Sequence, residues 1–130
     1  MTTPAPTVWP GLAYTDAPAA IRFLTTAFGF TETLLVPGEA DGEVVHAELG
    51  WPEGGGVMLN THRVGEVCWT GPGHGSVYVV TAKPDELLAR ATAAGAELVR
   101  DIADTDYGSR GFTVRDPEGH VWSFGTYPGA

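Results

Sequence analysis

Pro-Glu-Gly occurs twice in this chain, at Pro52-Glu53-Gly54 and at Pro117-Glu118-Gly119, an offset of 65 residues (52 to 117). Two further pairs keep step, Pro18 with Pro84 and Gly29 with Gly95, each 66 apart (18 to 84, 29 to 95). In a chain with 10 Pro and 18 Gly one such match carries no weight, but several in register mark an internal duplication. Each half then repeats one order of elements. At 130 residues in all, the halves are too short to be independent globular domains, so they share one structure.

The second half reads most clearly. Residues 112–115 and 121–127 are rich in aromatic and β-branched side chains. Asp116-Pro117-Glu118-Gly119 between them sets a turn, its proline fixing one φ and its glycine free to take φ > 0. That predicts a hairpin. Upstream of it, residues 76–82 predict a strand and 84–95 a helix with the apolar stripe Leu87, Leu88, Ala91 and Ala94. A strand over 96–100 and a polar loop over 101–109 follow.

The first half predicts the same order. After a loose tail over 1–7 comes a strand over 8–15, interrupted by Pro10 and Gly11. Asp16-Ala17-Pro18 starts a helix that Gly29 ends, with Ala20, Phe23, Leu24, Ala27 and Phe28 along one side. Strands over 30–36, 43–49 and 57–61 complete it; in the second of these, Val45, Ala47 and Leu49 share one face and Val44, His46 and Glu48 the other. Residues 62–75, with Gly65, Gly71-Pro72-Gly73 and Gly75, read as a linker that also carries Trp69. The expected fold is α+β: two βαβββ modules, about 8–61 and 76–127, forming two four-stranded sheets around a concave cleft.

Charge and cysteine count narrow the partners. Sixteen acidic against seven basic residues give a net charge of −9, which repels nucleic-acid phosphates and anionic membrane surfaces. The apolar runs are shorter than the ~18 residues that a membrane span needs, and no apolar h-region marks a secretory signal, so a soluble cytoplasmic protein is expected. The single Cys68 agrees with a reducing compartment and excludes an intrachain disulfide or a zinc site built on cysteines.

The ending, Asp106-Tyr107-Gly108-Ser109-Arg110-Gly111-Phe112-Thr113-Val114-Arg115-Asp116-Pro117-Glu118-Gly119 followed by Trp122-Ser123-Phe124-Gly125-Thr126-Tyr127, resembles the vicinal-oxygen-chelate superfamily. That superfamily holds glyoxalase I, extradiol dioxygenases, fosfomycin-resistance enzymes and bleomycin-resistance proteins. The likeness covers roughly residues 8–127 and is specific for fold. It implies a cleft in which metal-dependent members hold an ion by His or Glu from the first and last strand of each half. Carried onto this chain, those positions fall at Trp9, Leu59, Ser76 and Ser123, and none offers carboxylate oxygen or imidazole nitrogen. No metal and no cofactor are therefore expected. The resemblance also implies a homodimer, as do sheet edges that a chain of this size leaves uncovered.

Alternation sorts the rest. If Ser123 faces the cleft, Val121, Gly125 and Tyr127 share its face, and Trp122 and Phe124 turn toward the helices. Tyr78 joins Ser76 on the cleft side, and Val77 and Val79 pack inward. His46 and Glu48 point to solvent or to the cleft, where the pair could move a proton or hold a cation. Arg110 could clamp an anion, though Asp101, Asp104 and Asp106 nearby favour a surface ion pair. Trp51, Trp69 and Tyr107 on loops suit a pocket rim or a dimer interface. His62 and His120 acquire no role.

The expected function is binding of a small, partly aromatic molecule, an antibiotic for instance, through Trp9, His46, Glu48, Leu59, Trp69, Ser76, Tyr78, Tyr107, Arg110 and Ser123. The acidic composition favours a flat cationic or neutral ligand over an anionic one. Two alternatives stand beside it: a metal-dependent lyase or dioxygenase with an atypical set such as His46, Glu48 and His74, and a metal-free enzyme built on His46 or Tyr78.

Overall fold

A computed structural model describes residues 5–65 and 70–129. Cys68 and Trp69 lie outside the described residues. The first module runs β1 (Gly11–Tyr14), α1 (Ala17–Phe23), β2 (Thr31–Pro37), β3 (Val44–Gly50) and β4 (Gly56–Thr61). The second runs β5 (Ser76–Val80), α2 (Pro84–Ala93), β6 (Glu97–Asp104), β7 (Arg110–Arg115) and β8 (Val121–Gly125). The sheets are ordered β1-β4-β3-β2 and β5-β8-β7-β6, each with one parallel pair, β1 on β4 and β5 on β8. The fold is the α+β pair of four-stranded sheets that the duplication predicts.

Helix α1 begins where Asp16 accepts the Ala19 amide at 3.1 Å, with Pro18 in its first turn. Its last turn widens into a π-helical turn (Leu24–Phe28) that Gly29 ends at φ 93°, a conformation open to glycine. Ala20, Leu24, Ala27 and Phe28 are buried as the stripe requires. They join one core shared by both modules. Phe28 packs on Trp122 and Phe124, with ring centroids 5.2 and 4.8 Å apart, and Trp51 packs on Phe30 at 4.9 Å. Burying rings such as Trp122 and Phe28 contributes roughly 1.5–3 kcal/mol each relative to leaving them exposed.

Four sequence readings need correction. In β3 a bulge opposite Val36 and Pro37 turns Val44 into the core and leaves Val45 46% exposed, so Val45 does not share the face of Ala47 and Leu49. Leu59 pairs with Ala47 in the core and is 0% exposed, so it is absent from the open face of its sheet; Met58, opposite Glu48, is on that face. The polar loop predicted from Asp101 does not exist up to Asp104, because β6 continues to that residue. Trp51 is more than a rim residue: it lines surface hollows but is also half-buried against the core, where its indole N–H donates to the Val80 carbonyl at 2.9 Å.

The duplication also explains how the modules are fastened together. Asp116 at the second turn stands 65 residues from Trp51 at the first, and Val80 at the end of β5 stands 66 from Tyr14 at the end of β1. Trp51 binds Val80, and Asp116 accepts the Tyr14 hydroxyl at 2.6 Å. Each Pro-Glu-Gly turn thus grips the first strand of the other module.

The second grip is the denser one. Asp116 Oδ2 also accepts the Trp122 indole N–H at 3.0 Å, and Oδ1 accepts the amides of Glu118 and His120, both at 3.1 Å. Glu118 accepts the amides of Thr15 and Asp16 at 2.6 and 2.8 Å, which fixes the approach to α1. His120 is buried; its Nδ1 accepts the Gly75 amide at 2.7 Å and its Nε2–H donates to the Ala13 carbonyl at 2.8 Å. Buried polar groups demand such partners, and here they come from two distant segments, residues 13–16 and Gly75, as well as from the hairpin itself.

Candidate functional site

The second sheet has one face in the core, carrying Val77, Val79, Phe112, Val114, Trp122 and Phe124. Its other face carries one row of side chains that crosses all four strands. Tyr78 of β5 pairs with Ser123 of β8, Ser123 with Thr113 of β7, and Thr113 with Arg100 of β6. The adjacent row is Val80, Gly125, Gly111 and Ala103, which leaves the floor low. Over part of these rows, at Tyr78, Ser123, Arg100, Gly111 and Ala103, opens a cavity of about 450 Å³. Ser76, Tyr107 and Ser109 also line it.

Within the row, Thr113 Oγ1 and Ser123 Oγ lie 2.9 Å apart, so one hydroxyl proton sits between them; with buried Thr113 as the donor, the proton of Ser123, which lines the cavity, is left for a ligand. Tyr78 lies across Gly125, where a Cβ would come within 2.9 Å of the phenol oxygen. Its hydroxyl donates to the Tyr127 carbonyl at 2.8 Å, and burial raises that phenol above its ordinary value. The ring is pinned at its tip yet 49% exposed along its side. Tyr107 stands at the rim, 5.9 Å from the Tyr127 ring and largely exposed.

Ser76, Tyr78 and Ser123 share one face, as the alternation predicts, and Tyr107 from the following loop lines the same cavity. Arg110 does not supply it with a free guanidinium. Its Nε and Nη2 grip Asp85 at 3.0 and 2.9 Å, and Nη1 holds Asp104 at 3.0 Å, so it ties β7 to α2 and β6. The hydrogen bonds from Arg110 hold the Asp85 carboxyl below the usual carboxylate range, and both carboxylates raise the guanidinium above its own. The cation that lines the cavity unpaired is Arg100, which sequence reasoning passed over; among the described residues it makes no ion pair or side-chain hydrogen bond. Its signal was its place on a strand immediately before Asp101 and the acids that follow it, too weak to single out.

His46 and Glu48 sit elsewhere, on the first sheet. They form a half-buried pair, Nε2 to Oε2 at 2.7 Å, with Leu34 and Val36 opposite them on β2. The carboxylate fixes the Nε2–H tautomer and leaves Nδ1 as an acceptor, an arrangement able to take a proton. Trp9 is half-buried beside Gly56, its indole N–H reaching the Pro6 carbonyl at 3.4 Å, and it does not line the cavity. The acidic wall expected from Glu48 is thus missing from the cavity that holds Tyr78.

An ion of the kind the resemblance implies finds no matching donors. Leu59 is in the core; Ser76 and Ser123 offer neutral hydroxyls, and Met58, on the open face of β4, offers a thioether. Divalent ions prefer carboxylate and imidazole. His74 is not gathered with His46 and Glu48 either: among the described residues no group of three or more His, Cys, Asp or Glu comes together. No helix is long and apolar enough to cross a membrane.

Known proteins match this arrangement. Residues 7–124 match the model of the Glyoxalase/Bleomycin resistance protein/Dioxygenase superfamily. Protein Mb0911c of Mycobacterium bovis is 35% identical over 128 residues, covering 92% of this chain and 82% of the relative. TioX from Micromonospora sp. ML1 superposes with a TM-score of 0.77 at 35% identity, covering 93% of this chain and 98% of TioX. A glyoxalase/bleomycin resistance protein/dioxygenase family enzyme from Burkholderia phytofirmans PsJN shares the fold, with a TM-score of 0.68 at 21% identity over 90% of this chain and 94% of that one.

Proposed function

The chain belongs to the glyoxalase/bleomycin resistance protein/dioxygenase superfamily, and from that premise we propose that it binds a small aromatic molecule, such as an antibiotic, without using a metal ion. The observation that carries this reading is the make-up of the 450 Å³ cavity: hydroxyls and bare backbone on the floor, a pinned tyrosine on the wall and a second at the rim. Such a volume suits a drug-sized ligand, with polar groups few and placed to orient it. Side-on contact with Tyr78 contributes roughly 0.5–1.5 kcal/mol beyond area burial.

Titration calorimetry with 2-naphthamide on chelator-treated protein tests it. Binding is expected, unchanged on adding nickel, zinc, manganese or iron, and weakened about tenfold in Tyr78→Ala. Tightly held stoichiometric metal, or binding that appears only once metal is restored, would overturn the reading.

We further propose that two copies pair. Strands β2 and β6 are sheet edges, every residue of β2 is exposed, and Leu34, Leu35, Val36, Leu98 and Val99 present apolar side chains there. Proteins rarely leave such edges bare. Sedimentation velocity is expected to give roughly 27 kDa, twice the 13.7 kDa chain. A 13.7 kDa species alone at micromolar concentration would count against pairing.

A further inference from the structure

The charge of the cavity points opposite to the charge of the chain. Although the net charge is −9, the acid that lines the cavity, Asp104, is already held by Arg110. Arg100 stands across the same row with no anion against it among the described residues. At ordinary ionic strength the remote acids are screened beyond about 10 Å, so the nearest unpaired charge decides what enters.

We propose that the cavity selects an aromatic anion, with a carboxylate or phenolate oxygen set against Arg100 and the free Ser123–Thr113 hydroxyl proton, and the ring laid along Tyr78. This inference rests on the binding reading above and names its ligand class. The geometry has one row for both tasks: guanidinium and hydroxyl donors at one end, the exposed side of a fixed aromatic ring at the other. Guanidinium N–H groups match the two oxygens of a carboxylate, which a lone hydroxyl cannot. The low floor at Gly111 and Ala103, beside the part of Gly125 that Tyr78 covers, leaves room for the ring. It reverses the preference that overall composition suggests, because composition averages over charges that are neutralised in pairs or lie on other faces.

Three isosteric probes separate the possibilities: 2-naphthoate, 2-naphthamide and 2-naphthylmethylammonium, titrated calorimetrically into the full chain. The naphthoate is expected to bind at least about tenfold more tightly than the other two, as a charge-assisted contact implies. Arg100→Gln, on an exposed edge strand, should remove that advantage, bringing the naphthoate-to-naphthamide affinity ratio to about one. Arg22→Gln on α1, the same charge change at a distance, should leave all three unchanged. Equal or tighter binding of the amide or the ammonium overturns the anion selectivity and keeps the binding reading. So does an acid-to-amide ratio that survives Arg100→Gln. No binding by any of the three overturns both.

Discussion

Asp116→Ala is expected to destabilise the protein by about 3–5 kcal/mol, more than any loss of a surface contact. The side chain accepts four hydrogen bonds, and three of the donors, the Tyr14 hydroxyl, the Trp122 indole and the His120 amide, belong to residues no more than 1% exposed. Removing the carboxylate leaves them unsatisfied, and each orphaned buried donor costs about 1–3 kcal/mol. Asp116→Asn should fall between. Its amide keeps one acceptor oxygen but turns an NH₂ toward a donor, at a cost of about 1–3 kcal/mol. Urea denaturation checks the order wild type, Asn, Ala, with the midpoint falling and the slope constant. An alanine variant within 1 kcal/mol of wild type would show that the Tyr14 and Trp122 donors find water instead.

The second large effect is a stability loss in alkali in which Tyr14 takes the largest part. Burial first, then the charge and hydrogen bond of Asp116 and the charge of Glu118, push the Tyr14 phenol far above its ordinary value of 10.0. A group raised on folding contributes stability that is complete below its unfolded value and is lost as pH rises from there toward its folded value. Wild type should therefore lose about 1.4 kcal/mol per pH unit through this group above roughly pH 10. Tyr14→Phe lacks the titration. It should start about 1–3 kcal/mol less stable at neutral pH, because Asp116 loses a donor, and then converge on wild type between roughly pH 10 and 12. Stability curves that stay parallel to pH 12 would exclude the linkage.

How much of this could be read from the sequence depended on whether the relevant contacts were local. The alternation on β5 and β8 placed Ser76, Tyr78 and Ser123 on one face and Trp122 and Phe124 on the other, because each strand has one buried side and period 2. Parity failed at Leu59, counted forward from Pro52 through Gly54 and Gly55, both at positive φ, since an irregular turn gives no fixed register. It failed at Val45 because a bulge adds a residue. On β6, exposed along nearly its whole length, there was no alternation to read, so Asp101 to Asp104 looked like loop and Arg100 lost its partners. Arg110 was placed among the right kind of neighbour, yet Asp85 is 25 residues away. The roles of Asp116 and His120 rest on Tyr14 and Ala13, 102 and 107 residues distant. Only one local hint existed: an Asp opening a turn can accept the amides two and four residues on.

The grip of the last turn on β1 sets an order in time. As the chain is made, Tyr14 and the amides of Thr15 and Asp16 leave the ribosome more than a hundred residues ahead of Asp116 and Glu118. The first module thus emerges with its opening strand and helix entrance unanchored, and no bond of the network can close until the final hairpin has been synthesised. Completion of this fold is held back until residues 116–120 are made, more than a hundred residues after the strand and helix entrance that they anchor.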